Sequence, residues 1–122
     1  MKILITGGAG YLGNVIVREL LKEKFIKKIT IIDNFFFKQD NSILDFFSDE
    51  KINFIRGDVR NKILLKEHLK KNDLIIPLAA IVGAPLSALY QTLTKQLNLQ
   101  QIKNICDMKS TKQIVVLPVT NS

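Results

Sequence analysis

The sequence predicts an α/β fold, a doubly wound parallel sheet of about five strands in the order 3-2-1-4-5. Three observations carry this. Short apolar runs rich in β-branched residues alternate with stretches whose apolar residues recur at helical spacing. The first run opens into four of the six glycines, Gly7, Gly8, Gly10 and Gly13, within seven positions. The second run ends on an acid, Asp33, twenty positions after Gly13. Strands alternating with helices imply right-handed crossovers and a sheet covered on both faces.

Each element has its own signal. KILIT (2–6) is a continuous apolar run, as a strand buried on both faces requires. Leu12, Val15, Ile16 and Leu20 then recur at helical spacing, which predicts a helix from about Tyr11 to Lys24. ITIID (29–33) is the second strand, followed by a polar-aromatic loop and a short helix around Ile43–Phe47. INFIR (52–56) is the third strand, ended by Gly57. NKILLKEHLKK (61–71) reads as a helix with Ile63, Leu64 and Leu69 inward and Lys62, Lys66 and Lys70 outward. DLIIPLAA (73–80) gives a fourth strand that ends near Pro77, since proline belongs at a strand end or edge. A long helical pattern covers about Leu86 to Met108, and QIVVLPV (113–119) is the fifth strand.

At 122 residues the chain reads as one domain, 1–122, large enough to bury a core. Its composition, 47% hydrophobic and 24% charged, is that of a soluble globular protein. The net charge of +7 comes mostly from scattered lysines, read as solvated helix faces. No basic stretch is interleaved with stacking aromatics, so no specific nucleic-acid partner is expected. No apolar run approaches the ~20 residues of a membrane helix. A single cysteine and a start without a signal-peptide layout make a cytoplasmic setting the expectation.

The glycine loop has chemical meaning in its context. The early glycines let the chain turn out of the strand, Gly10 leaves room for a pyrophosphate, and Gly13 permits close helix packing. The following helix would aim free N–H groups and a positive dipole end at phosphates. An acid at Asp33 can hydrogen-bond both hydroxyls of an adenosine ribose and would repel the extra phosphate of NADP. This arrangement is the Rossmann fingerprint, with NAD as the expected cofactor. The alternative is a glycine turn that only packs a helix.

TGGAGYLG (6–13) also fits TGxxGxxG, and here the chain resembles the N-terminal, cofactor-binding part of the extended short-chain dehydrogenase/reductases, the NAD-dependent epimerase/dehydratase family. The resemblance implies roles for Gly7, Gly10, Tyr11, Leu12 and Gly13 at the cofactor. Asp33 and Asn34 match the family's ribose-binding pair. GDVRN (57–61) resembles its adenine-binding segment, with Asp58 accepting from the adenine amino group and Val59 flanking the ring. PLAAIVGAP (77–85) resembles the loop along the pyrophosphate and nicotinamide ribose, which places Leu78, Ala79 and Ala80 there. Asn98 fits the family's asparagine near the nicotinamide, and Thr120, in VTNS, is the candidate hydroxyl for substrate contact.

The resemblance also implies a Tyr-x-x-x-Lys pair that the 122 residues do not contain. Four positions after Tyr11 and Tyr90 come Val15 and Thr94. The expected function is therefore the NAD-binding portion of a nucleotide-sugar epimerase or dehydratase, with no turnover by these residues alone and with homodimer formation left open. A stand-alone, non-catalytic dinucleotide-binding module is the alternative; a well-behaved monomer would favour it, because a cut piece should expose apolar surface. A polyanion-binding scaffold ranks third, promoted only by selectivity for one nucleic acid.

Other candidates carry plainer readings. Phe35, Phe36 and Phe37 either wall an adenine pocket or serve as core. His68 is read as a surface histidine, with no metal site around it. Cys106 is read as a small core residue.

Overall fold

The central feature of the computed structural model is a five-stranded, all-parallel sheet in the order β3-β2-β1-β4-β5, as the alternating pattern requires. The structure describes residues 1–8, 10–34, 48–79 and 91–118. The strands are β1 (Lys2–Thr6), β2 (Lys28–Asp33), β3 (Ile52–Arg56), β4 (Leu74–Pro77) and β5 (Ile114–Val115). The helices are α1 (Tyr11–Leu21), α2 (Lys62–Leu69), α3 (Gln91–Lys95) and α4 (Gln101–Met108), with a π-helical turn, Gln96–Gln100, between α3 and α4. The proposed short helix at 43–47, the phenylalanines Phe35, Phe36 and Phe37, Ala80, the first turn of the long helix and Thr120 lie outside the described residues.

Alternation along the strands divides the core in two. Ile3 and Ile5 of β1 join Val17, Ile26, Ile29, Ile31 and Ile76 on the α1 face. Leu4 joins Ile32, Val59, Leu65, Leu69, Ile75 and Ile105 on the face covered by α2 and α4. Each such side chain contributes about 1.5–3 kcal/mol by leaving water. A continuous apolar run is thus what a central parallel strand needs, because both of its faces are covered.

The helices correct several sequence expectations. In α1 the inward row is Gly13 and Val17, flanked by half-buried Ile16, Leu20 and Leu21. Leu12 and Val15 remain 48% and 43% exposed. Gly13 is drawn against the glycine loop, which rotates the buried row by one residue from the most apolar stripe. The helix also stops at Leu21 rather than Lys24. In α2, Leu65 and Leu69 are buried while Ile63 is 82% exposed. Ile63 lies two residues before Leu65, roughly 200° around a helix, so both cannot face the sheet. Asn61 is the N-cap, its side chain accepting from the amides of Ile63 and Leu64 at 3.1 and 3.2 Å.

Two further readings change. Cys106 is exposed, because Gln101 and Ile105 occupy the inward row of α4 and leave Cys106 beside them on the solvent side. His68 keeps its place at the surface of α2 and is part-buried there. The fifth strand is much shorter than 113–119. It pairs with β4 through Ile114 opposite Leu74 and Val115 opposite Ile75, and Pro118 has no N–H to extend the ladder.

Candidate functional site

The site is built where the strand order reverses, between β1 and β4, at the carboxyl ends of both. β1 ends at Thr6, and Gly7 turns out of it with φ +74°, a left-handed conformation that favours glycine. Its N–H donates to the Ile32 carbonyl at 2.8 Å, while the Leu78 N–H donates to Thr6 O at 2.8 Å. A side chain on Gly7 would place Cβ 2.5 Å from the backbone nitrogen of Ala79. The turn is therefore held on one side by β2 and pressed on the other by the chain leaving β4.

Helix α1 starts on this turn. Gly13 approaches so closely that an added Cβ would sit 2.5 Å from Gly8 Cα. The N-cap, Gly10, is extended and contributes no side-chain cap, and no acid lies in the first turn. The first backbone bond of the helix is from Asn14 N–H to Gly10 O at 3.0 Å. Helix geometry leaves the amides of Tyr11, Leu12 and Gly13 without an intrahelical acceptor. Together with the helix dipole they form a donor set suited to phosphate oxygens. The close loop–helix contact and this uncapped end fit a pyrophosphate.

The ribose and adenine candidates fall beside the loop. The register pairs Thr6 with Ile32, so Asp33 lies one step beyond, level with Gly7, and its carbonyl accepts from Gly57 N–H at 3.0 Å. Asn34 follows it, also half-buried. Asp58 begins a tight turn after β3. One carboxylate oxygen accepts from the Arg60 amide at 2.9 Å, and both accept from Arg60 Nε, at 3.0 and 2.9 Å. The guanidinium hydrogen bonds hold the Asp58 carboxyl below its ordinary value, against a smaller opposing effect of burial. Val59 is only 4% exposed and belongs to the core under α2.

On the other side of the loop, Leu78 and Ala79 are half-buried just past β4. Asn98 is half-buried within the π-helical turn, an interruption of the kind often found at functional sites. Ala80 and Thr120 fall outside the described residues. The structure thus gathers Gly7, Gly10, Tyr11, Leu12, Gly13 and Asp33 around one loop. Asp58 and Val59 follow the adjoining strand β3, and Leu78 and Ala79 stand across the switch point.

Sequence reasoning missed two groups. Thr6 Oγ1 donates to Gln101 Oε1 at 2.6 Å, and Gln101 Nε2 donates to the Ala79 carbonyl at 2.8 Å. Gln101 is 2% exposed and Thr6 fully buried. The only sequence signal was position: Gln101 precedes the inward Ile105 by one helical turn. Arg60 was the other, and the alternation Asp58-x-Arg60 could have flagged it. Among the described residues no group of three or more His, Cys, Asp or Glu could hold a metal.

The model of the 3-beta hydroxysteroid dehydrogenase/isomerase family matches residues 4–122. The UDP-glucose 4-epimerase of Lactobacillus helveticus is 30% identical over 117 residues, covering 89% of this chain and 33% of that enzyme. An uncharacterised membrane protein of Methanocaldococcus jannaschii is 36% identical over 86 residues, 69% of this chain and 25% of that protein. Among the described residues no helix is long and apolar enough to cross a membrane. The crystal structure of UDP-glucuronic acid 4-epimerase from Bacillus cereus, in complex with UDP-glucuronic acid and NAD, superposes with a TM-score of 0.86 at 25% identity. That match covers 100% of this chain and 41% of the epimerase. The chain thus spans 25% and 33% of the length of the two curated relatives. The matched family model and the superposed fold lead to one conclusion: the chain belongs to the 3-beta hydroxysteroid dehydrogenase/isomerase family, within the extended short-chain dehydrogenase/reductases.

Proposed function

We propose that this chain binds NAD, as the dinucleotide-binding part (residues 1–122) of an oxidoreductase of the nucleotide-sugar epimerase/dehydratase type. One observation carries the reading: an uncapped helix start on a glycine loop at the switch point, with Asp33 level with that loop on the neighbouring strand. The names of its relatives support the substrate class, since epimerases of UDP-sugars match most of the chain.

In this reading the amides of Tyr11, Leu12 and Gly13 hold the pyrophosphate, Gly10 gives its oxygens room, and Gly7 and Gly13 let the loop turn and the helix pack against it. Asp33 and Asn34 take the adenosine ribose. Asp58 and Val59 receive the adenine. Leu78, Ala79, Ala80 and Asn98 line the nicotinamide side, and Thr120 contacts the sugar nucleotide. Bound NAD would supply a hydride acceptor; the chain's own residues orient it and supply no Tyr-x-x-x-Lys base. A cytoplasmic setting accompanies the proposal, and homodimer formation stays open.

Equilibrium titration with NAD and NADP tests it. Wild type should bind NAD at least about tenfold more tightly than NADP, the worth of roughly 1.4 kcal/mol from one carboxylate. Asp33→Asn should weaken NAD and narrow that gap. Equal binding of both cofactors before and after the change would remove Asp33 from its role, and no binding of either would end the dinucleotide reading.

A further inference from the structure

The cluster that the cofactor assignment leaves unused is the buried chain of hydrogen bonds through Gln101. Its amide orientation is fixed by chemistry. The Ala79 carbonyl can only accept, so Nε2 must face it, and Oε1 must then face the Thr6 hydroxyl, which donates. Both ends of the side chain are engaged, and among the described residues no buried side-chain nitrogen or oxygen lacks a partner. The two partners are 95 and 22 residues away in sequence, on opposite sides of the strand reversal. Gln101 also follows directly on the π-helical turn that carries Asn98.

The position of these contacts gives them a consequence. Ala79 is the residue whose backbone presses against Gly7, at the distance that forbids a side chain there. Fixing the Ala79 carbonyl therefore fixes the wall opposite the glycine turn. Thr6, at the end of β1, ties that wall to the strand from which the turn departs. The adenine-side residues Asp33 and Asp58 lie over β2 and β3, on the far side of β1.

We infer that Gln101 is a positioning residue for the nicotinamide half of the cofactor: through Thr6 and Ala79 it sets the spacing between the glycine turn and the chain leaving β4. This rests on the dinucleotide reading above. Its signature is selective. Loss of the amide should loosen the nicotinamide side while leaving the adenine side intact.

The experiment compares NAD with ADP, which carries the adenine, ribose and two phosphates but no nicotinamide riboside. Gln101→Met keeps side-chain length and adaptability without either hydrogen bond. It should weaken NAD on the order of tenfold, about one good interaction, and leave ADP within about twofold. Because a buried substitution can impair folding, a milder pair accompanies it. Thr6→Val keeps shape and removes the hydroxyl, and should reproduce the NAD-selective loss in smaller measure. Thr6→Ser keeps the hydroxyl and should bind both nucleotides as wild type does. Equal losses of NAD and ADP in Gln101→Met or Thr6→Val, or no loss in either variant, overturn the inference while the cofactor reading stands. Wild type that binds neither nucleotide overturns both together.

Discussion

The two halves of the sheet reach the switch point by different means. On the β1–α1–β2 side the contacts are backbone against backbone, made possible by missing side chains: Gly7 against Ala79, Gly13 against Gly8. On the β4–α4–β5 side the contacts are made by side-chain amides. Gln101 bridges Thr6 and Ala79 at the carboxyl end of the strands. Gln113, at the opposite end, donates to the carbonyls of Leu69 and Asn72, and its Oε1 accepts from the Ser110 amide at 2.9 Å. A glycine contact is rigid and tolerates no addition. An amide contact is longer in reach and can be weakened by degrees. The first suits a phosphate site that must hold one geometry, and the second fastens elements that come together only through the tertiary fold.

Substitutions can break this contrast one side at a time. The largest effect is expected from Gly13→Val, whose added atoms meet Gly8 backbone that cannot move aside. It should cost about 2–3 kcal/mol of stability in denaturant titration, as overpacking does, and abolish NAD binding. Next comes Gln113→Ala. It removes the side-chain donor to the Leu69 and Asn72 carbonyls, the first of which keeps a longer bond from the Asn72 N–H at 3.3 Å, at a cost of about 1–2 kcal/mol. Its NAD affinity should be unchanged, since it lies at the far end of the sheet. A loss of NAD binding there would show that the halves are not separable.

Smaller effects concern titration. Burial pushes the His68 imidazole below its ordinary value of 6.5. The unfolded chain therefore binds the proton more readily, and the stability this group contributes is full above pH 6.5 and lost as the pH falls through the depressed folded value. His68→Gln should flatten the stability profile between about pH 7 and 5, by under about 1 kcal/mol. Asp58 runs the same way at lower pH. Its contribution is present above the ordinary value of 3.8 and is lost as the pH falls through the folded value that Arg60 depresses. The pair is part-exposed and screened by solvent, so Arg60→Met should change stability at neutral pH by less than about 0.5 kcal/mol. The acid limb of unfolding should move upward in pH.

The glycine frame of the candidate site is legible in the sequence for a specific reason. Glycines at Gly7, Gly10 and Gly13 announce themselves because no other residue serves where backbone must approach backbone. The spacing to Asp33 is readable because one crossover helix and one strand have a set length. Helix phase was read less well. Ile63 looks inward by composition, yet Leu65 takes the buried position. Hydrophobicity ranks residues, whereas a helix has room for one inward stripe, chosen by what the neighbouring loop permits. Cys106 failed in the same way, displaced by a glutamine that a hydropathy reading would have put outside.

The sequence by itself determined the order of elements, the parallel sheet and the glycine-to-acid frame, since these follow from local periodicity and from residues with unusual backbone freedom. Only the tertiary structure decided which polar side chains are buried, which face of each helix is covered and how far β5 extends. Those outcomes depend on partners distant in the chain. Gln101 is acceptable in the core because its amide is hydrogen-bonded there, to Thr6 at one end and to the Ala79 carbonyl at the other.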